Sequence, residues 1–71
     1  MMKWYKPNEG LPPIGKYVFV AMSNYFDQYN DAFVYVMKYD GNRRWEYYDG
    51  GTEYIMVSGT DRWAYIELPE D

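Results

Sequence analysis

Apolar and aromatic residues of this chain fall into short runs that are separated by Gly, Asp and Asn. The clearest case is the stretch 33–48, FVYVMKYDGNRRWEYY, in which two such runs flank Asp40-Gly41-Asn42. Asp-Gly between two runs of this kind indicates a β-hairpin, because its tight turn needs positive φ and glycine adopts positive φ without steric cost. This hairpin organises the rest of the predicted fold.

The same pattern predicts five strands, separated by turns that are rich in Gly, Asp and Ser. Strand 33–39 alternates, with Phe33, Tyr35 and Met37 on one face, whereas the first strand is apolar on both faces and is expected to be central or covered on both sides. Short strands at such regular spacing are typical of an antiparallel meander that curls into a small barrel or half-barrel. We therefore predict a mainly β fold with strands at 17–22, 33–39, 43–48, 53–57 and 62–68.

Two stretches fall outside this strand pattern. Residues 1–16 form a Pro- and Gly-rich lead-in, which is predicted to be extended or turning because proline fixes φ and lacks a backbone donor. We expect Trp4 to fold back from it and close one end of the core. The stretch 23–32 has two interpretations, a loop rich in Asn and Asp or a loop with one short helical turn at 24–32.

The length of the chain, 71 residues, predicts a single small domain over 1–71. A domain of this size buries only about 60% of the surface that its unfolded chain exposes, so its core is marginal. The sequence has no cysteine, and it has 3 Trp, 10 Tyr and 3 Phe instead. Each buried aromatic ring removes about 150–250 Å² from water. The number of tyrosines exceeds what a small core needs, which indicates a contact surface.

Charge and hydropathy narrow the classes of partner. Eleven acidic residues stand against seven basic ones, giving a net charge of −4, so direct nucleic-acid binding is not expected. The longest apolar run, 17–22, is far shorter than the roughly 20 residues that span a bilayer, and the N-terminus lacks the apolar segment of a secretory signal. We expect a cytoplasmic protein without membrane contact.

The residues for common enzyme chemistry are missing from the sequence. There is no His and no Cys, which removes the usual general base, the thiol nucleophile and the soft metal ligands. The carboxylates of Asp40, Asp49 and Asp61 stand in predicted turns, where Asp is far more often a turn former than a catalyst. We predict a protein that is not an enzyme, with no catalytic residues, no metal site and no cofactor.

Two stretches resemble a known family. Six residues separate Trp4 from Leu11-Pro12, and Gly15 and a Val-x-Val strand follow; near the C-terminus stand Thr60, Trp63 and Leu68-Pro69. This pattern is similar to the small phage and prophage family called domain of unknown function 551. Members of that family typically end in Thr-His-Trp-Met-x-Leu-Pro, and this chain has Thr60-Asp61-Arg62-Trp63 in place of Thr-His-Trp. The resemblance implies a phage or prophage setting, in which small accessory proteins often antagonise host enzymes or defence systems.

Two groups of residues are candidates for a binding surface. The first lies in the stretch 24–32, where Tyr stands among Asn and Asp; this mixture supplies rigid amphipathic area and adaptable hydrogen bonds. The second is the arginine pair and the aromatic residues of the central hairpin, since Arg and aromatic residues are common interface anchors. The candidate partner-binding residues are Tyr25, Phe26, Asp27, Tyr29, Asp31, Arg43, Arg44 and Tyr48.

Three functions are compatible with these residues. The preferred one is a phage-type accessory protein that binds a host or phage protein, as an inhibitor of a host defence or nucleic-acid enzyme, in the host cytoplasm. Its acidic balance favours a basic partner surface. The alternatives are a protein that sequesters a nucleotide-like molecule by aromatic stacking, with Arg43, Arg44 or Arg62 on the phosphate, and a structural homodimer.

Overall fold

The computed structural model describes residues 2–23, 28–54 and 61–69. Short strands alternate with turns, and two single-turn 3-10 helices occur in the described part. In chain order the elements are a 3-10 turn at Pro7–Glu9, β1 at Tyr17–Ala21, a second 3-10 turn at Asp31–Phe33, β2 at Val34–Tyr39, β3 at Arg44–Tyr47, β4 at Thr52–Tyr54 and β5 at Arg62–Tyr65.

The strands form one antiparallel sheet in the order β4-β3-β2-β1-β5. The register places Val18 of β1 opposite Met37 of β2 on one side and opposite Tyr65 of β5 on the other. Tyr39 lies opposite Trp45 in the central hairpin. Because side chains alternate along a strand, this register decides which residues share a face.

One face of the sheet, the core face, carries the hydrophobic core. Val18, Val20, Met37, Trp45 and Trp63 are all buried in a single cluster. Tyr5, Tyr35, Tyr39 and Tyr47 pack against this cluster, with the Tyr39–Trp45 ring centroids 5.0 Å apart and the Tyr35–Tyr47 centroids 5.3 Å apart. Tyr35 and Met37 share this face, as predicted, whereas Phe33, which was predicted to share it, ends the 3-10 turn before β2 and is exposed.

The opposite face, the outer face, is formed by the alternate positions of the strands. It carries Phe19 and Ala21 of β1, Val36 and Lys38 of β2, and Ala64 of β5. At one end of this face the Lys38 ammonium lies 3.8 Å from the Glu46 carboxylate and 5.3 Å from the centre of the Tyr17 ring. Both faces of β1 are thus largely apolar, as its sequence predicts.

The lead-in crosses the core face and is held there by backbone and ring contacts. Tyr5 pairs with Trp63 through two backbone hydrogen bonds of 2.7 and 3.0 Å, and the two rings stack with centroids 4.7 Å apart. The Trp63 indole N–H donates to the carbonyl oxygen of Gly10 at 2.9 Å. Gly15 N–H donates to Tyr39 O at 2.8 Å.

Tyr5, and not Trp4, is the residue of the lead-in that packs on the core. Trp4 is 38% exposed, so the expectation that it closes the core is wrong. The reason is the alternation of an extended chain: once Tyr5 pairs with Trp63 and faces the core, its neighbour Trp4 is directed to the other side of the sheet.

The predicted hairpin is present, but its turn is centred two residues later than Asp40-Gly41 suggests. Arg44 N–H donates to Gly41 O at 3.0 Å, so Asn42 and Arg43 are the two central residues. Their φ angles are 52° and 61°, as in a type I′ turn, and Gly41 before them has a φ of 85°. An arginine therefore occupies a position that favours glycine.

The mainly β class and the antiparallel pairing are confirmed, whereas closure into a barrel is wrong. In the part of the chain that the structure describes, β4 pairs with β3 alone, and β5 leaves the meander order to pair with β1. The far edge of β5 is bonded by Tyr5, which therefore occupies the place that a closing strand would take. The half-barrel alternative, which needs no closure, stays a prediction about curvature.

The structure shortens several of the predicted elements. β1 ends at Ala21, and β5 ends at Tyr65 rather than at residue 68. Among the described residues of the stretch 23–32 and its junction with β2, a helical turn occurs at Asp31–Phe33, and Asn30 caps it by accepting a hydrogen bond from Ala32 N–H at 2.9 Å. Residues 24–27, and the predicted end of the fourth strand at 55–57, lie outside the described residues.

Replacing Arg43 by glycine is expected to stabilise the domain by about 0.5–1 kcal/mol. Glycine adopts positive φ without the clash of a Cβ, and Asn-Gly is the favoured centre of a type I′ turn. For a domain of this length the gain raises Tm by roughly 2–8 °C, measurable by thermal or urea unfolding. Arg43→Ala is the matched control, since it removes the charge and keeps the Cβ. An equal gain from Arg43→Ala would show that repulsion between charges, and not backbone strain, was relieved.

Candidate functional site

A cleft of about 450 Å³ opens on the outer face, at the end opposite the Lys38–Glu46 pair. Among the described residues, its floor is aliphatic, its walls include two aromatic rings, and its rim carries one acidic and one basic side chain. The described residues that line it are Trp4, Ala21, Tyr29, Asn30, Asp31, Val34 and Arg62.

The floor of the cleft follows from the strand register. Ala21, the last residue of β1, lies opposite Val34 of β2 on one side and opposite Arg62 of β5 on the other. All three therefore share the outer face. The short side chain of Ala21 between two longer ones leaves the depression, and Val34, which is 37% exposed, gives it an apolar surface.

The first aromatic wall is Trp4, which the lead-in brings to this face. The bridge between Tyr5 and Trp63 fixes the backbone immediately after Trp4 along the edge of β5. Because Tyr5 faces the core, Trp4 faces the cleft. A core contact on one face of the sheet thus positions a half-exposed ring on the other.

The second wall is the segment that leads into β2. Tyr29 is 49% exposed, and Asn30 and Asp31 follow it directly. The capping bond from Ala32 N–H to Asn30 Oδ1 and the bond from Val34 N–H to Asp31 O at the end of the turn hold this segment against the start of β2. These local bonds fix the backbone that carries Tyr29 and Asp31.

The basic side chain of the rim is anchored at the start of β5. Arg62 Nη1 donates to the backbone oxygen of Asp61 at 2.8 Å. Asp61 Oδ1 in turn accepts from the backbone N–H of Ser23 at 3.0 Å and lies 3.4 Å from the Ser23 hydroxyl oxygen. These contacts tie the chain that follows β1 to the chain that precedes β5, and so hold Ala21 and Arg62 together at the end of the sheet.

The structure separates the predicted partner-binding residues into groups. Tyr29 and Asp31 line the cleft. Arg43 and Arg44 lie at the hairpin turn, beyond the other end of β2 and about 17 Å along that strand from Val34. Tyr25, Phe26 and Asp27 lie outside the described residues.

The two arginines of the turn have different surroundings. Arg44 forms an ion pair with Asp40, with its Nε 2.7 Å from Asp40 Oδ2. The exposed Arg43 has no partner for its guanidinium within the described part of the chain, and its backbone N–H donates to the Tyr39 hydroxyl at 3.3 Å. At the hairpin turn, the charge of Arg44 is thus neutralised by Asp40, whereas the charge of Arg43 is solvated.

Tyr48 stands apart from both groups. It is 70% exposed, its ring contacts Tyr17 edge-on with centroids 5.3 Å apart, and its backbone N–H donates to Val36 O at 2.8 Å. It lines a smaller depression of about 220 Å³ that also reaches Val34. Val34, Val36 and Tyr48 thus form an apolar strip on the surface, and this strip leads from Tyr48 to the cleft at Val34.

Sequence reasoning missed Trp4 and Val34 as binding residues, and it named Arg62 only as a possible phosphate ligand of a bound nucleotide. Arg62 and Val34 are 28 positions apart and meet only because β5 returns to pair with β1, which a simple meander does not predict. For Trp4 the sequence does carry a clue, since Trp4-Tyr5 in an extended segment must place its two rings on opposite sides.

The described residues bring no group of three Asp or Glu side chains together in a way that would hold a metal ion. None of the helical segments in that same part is long and apolar enough to cross a membrane. The chemistry that the cleft does offer is stacking, apolar burial and charged hydrogen bonding.

No family model, curated protein or solved structure matches this chain. The resemblance to domain of unknown function 551 therefore stays a prediction, and the cleft has to be interpreted from its own residues.

Removing either aromatic wall of the cleft is expected to cost little stability. Trp4→Ala and Tyr29→Ala should each lower the free energy of unfolding by less than about 1 kcal/mol, because both rings are substantially exposed. Trp63→Ala, the matched change of a buried indole, should cost about 3–5 kcal/mol or unfold the domain. Urea unfolding measures all three. A loss at Trp4 as large as at Trp63 would make Trp4 a core residue.

Proposed function

We propose that this protein is a non-enzymatic binding module that docks on another protein through the outer face of its sheet. The cleft receives one large apolar side chain of the partner, between Trp4 and Tyr29. The observation that carries the proposal is the exposure of these two rings, on the face that does not hold the core cluster.

The aromatic side chains divide between the two faces. The core cluster already uses Trp45 and Trp63 and the tyrosines that pack on them. Trp4 and Tyr29 therefore add exposed apolar area beyond that of the core. Large rings with few rotatable bonds lose little entropy on binding, which makes them effective anchors at protein interfaces.

The size of the cleft suits a side chain from a partner. Its volume of about 450 Å³ lies within the range of about 300–1,000 Å³ that small-molecule pockets span, so it has room for one large side chain. It is open rather than enclosed by the domain, so a side chain that projects from a larger partner can enter it. The strip from Val34 to Tyr48 provides further apolar contact beside it.

The charge of the chain favours a basic partner surface. The net charge of −4 attracts positive surfaces at a distance and speeds their encounter with this domain. Many basic protein surfaces are those that hold nucleic acid. Together with the phage setting that the family resemblance implies, this favours an accessory protein that inhibits a host defence or nucleic-acid enzyme in the host cytoplasm.

A nucleotide-like ligand is the second candidate, because Arg62 lines the same cleft as two aromatic rings. The hairpin arginines, at the far end of β2, are too distant to contact a mononucleotide bound there. A thermal-shift panel of nucleotides tests this candidate, and a homodimer is tested by mass in solution over a range of concentrations.

A display library of random 12-residue peptides tests the proposed function even though the partner is unidentified. We expect enrichment of peptides with an aromatic or large aliphatic residue and an excess of Lys and Arg. Individual selected peptides should bind Trp4→Ala and Tyr29→Ala at least about tenfold more weakly than the unchanged protein, because the anchor loses its contact surface. Fluorescence anisotropy measures these affinities.

The control variant is Leu68→Ala, which truncates an exposed apolar side chain that does not line the cleft. Its affinity for the selected peptides should equal that of the unchanged protein. The proposal is overturned if no peptide is enriched, or if selected peptides bind the folded Trp4 and Tyr29 variants as tightly as the unchanged protein.

A further inference from the structure

Resting on the proposed binding function, we infer that the cleft recognises the order of charges along the bound segment. The segment carries a basic residue on the side of Asp31 and an acidic residue on the side of Arg62, with the apolar anchor between them. The partner element is thus a short extended stretch of defined polarity, and not merely a basic surface.

The two charged residues of the rim belong to opposite sides of the cleft. Ala21 lies between Val34 and Arg62 in adjacent strands, so Val34 and Arg62 are two strand spacings, or roughly 10 Å, apart. Asp31 belongs to the turn that leads directly into Val34. The anionic side of the cleft is therefore next to β2 and the cationic side is at β5.

The acidic side chain is carried by a fixed backbone. The bond from Ala32 N–H to Asn30 Oδ1 and the bond from Val34 N–H to Asp31 O hold the turn. Asp31 itself is exposed, and within the described part of the chain its carboxylate forms no ion pair. A cation that arrives on this side finds an accessible acceptor whose position is set before binding.

The basic side chain lies on the other side of the cleft and already forms bonds within the chain. Arg62 is half-buried and lies in β5, and its Nη1 is directed by the bond to Asp61 O. A guanidinium carries five N–H donors in a planar fork, so it can add a carboxylate to the bonds that it makes within the chain. The β5 side of the cleft therefore favours Asp or Glu in the bound segment.

The distance between the two sides sets the spacing of the motif. An extended chain advances about 3.3 Å per residue, so the roughly 10 Å between the backbones at Val34 and Arg62 corresponds to about three residues. The basic and acidic residues of the segment should then lie about three or four positions apart. The anchor occupies a position between them, over Ala21 and between Trp4 and Tyr29.

Local and overall charge act differently here. The net charge of −4 attracts any basic surface, whereas Asp31 and Arg62 together contribute no net charge to the cleft. A segment bound in the matching orientation places opposite charges next to Asp31 and Arg62. A segment bound in the reversed orientation places like charges next to them and binds more weakly. The rim pair thus supplies orientation, and the overall charge supplies attraction.

The first experiment uses the unchanged protein and pairs of peptides of identical composition. Each pair keeps the anchor of a selected peptide and exchanges its Lys and Glu, three or four positions apart. We expect one order to bind about tenfold more tightly, since two attractive contacts become two repulsive ones. Equal affinity of the two orders, with both weakened by Trp4→Ala, would overturn this inference and leave the proposed function intact. Failure of both peptides to bind would instead count against the proposed function.

The second experiment exchanges the charges of the protein. The double variant Asp31→Arg, Arg62→Asp keeps the net charge of −4, so long-range attraction is unchanged. It should prefer the reversed peptide order by a similar factor. The single variants Asp31→Asn and Arg62→Gln should each reduce the preference between the two orders, and they keep the inference testable if the double variant does not fold. An unchanged preference in a folded charge variant would overturn the inference.

Discussion

The contact between Tyr5 and Trp63 is the interaction on which the rest of the structure depends. It combines two backbone hydrogen bonds with a stacked pair of rings, and the Trp63 indole adds a bond to Gly10. Residues 58 positions apart are thereby joined. The contact covers the core, occupies the edge of β5 that a closed barrel would need, and sets the orientation of the chain at Trp4.

A chain of 71 residues can form such a fold only by burying large side chains efficiently. Trp45 and Trp63 are both 3% exposed, and tyrosines pack on them with their edges or faces. Tyrosine suits this role in a thin sheet, since its ring is apolar and its hydroxyl can reach water. The same residue type can therefore serve the core on one face and a contact surface on the other.

The sequence was sufficient for the strand class, the central hairpin and the face that Met37 shares with Tyr35, because alternation and turn chemistry are local properties. The pairing of β5 with β1 was not predictable in the same way, since it depends on contacts that only the folded chain brings together. The size of Trp4 alone suggests burial, yet its side chain is 38% exposed. The backbone bonds between its neighbour Tyr5 and Trp63 place the Tyr5 ring on the core and therefore direct Trp4 to the other face. The cleft contains both Arg62 and Val34, which come together only because β5 pairs with β1. Its residues therefore cannot be predicted without the strand order.

The dipeptide Trp4-Tyr5 contributes one ring to each side of the sheet, so its two positions are under different constraints when the sequence changes. Tyr5 is constrained by its bonds and ring contacts with Trp63, so most replacements there disturb the fold. Trp4 has no comparable constraint, yet it stays aimed at the cleft as long as Tyr5 keeps its place. Substitution at this single position can thus alter the proposed contact surface without a new backbone. Under the proposed binding function, Trp4 is the position where we expect substitutions to accumulate first when the partner changes.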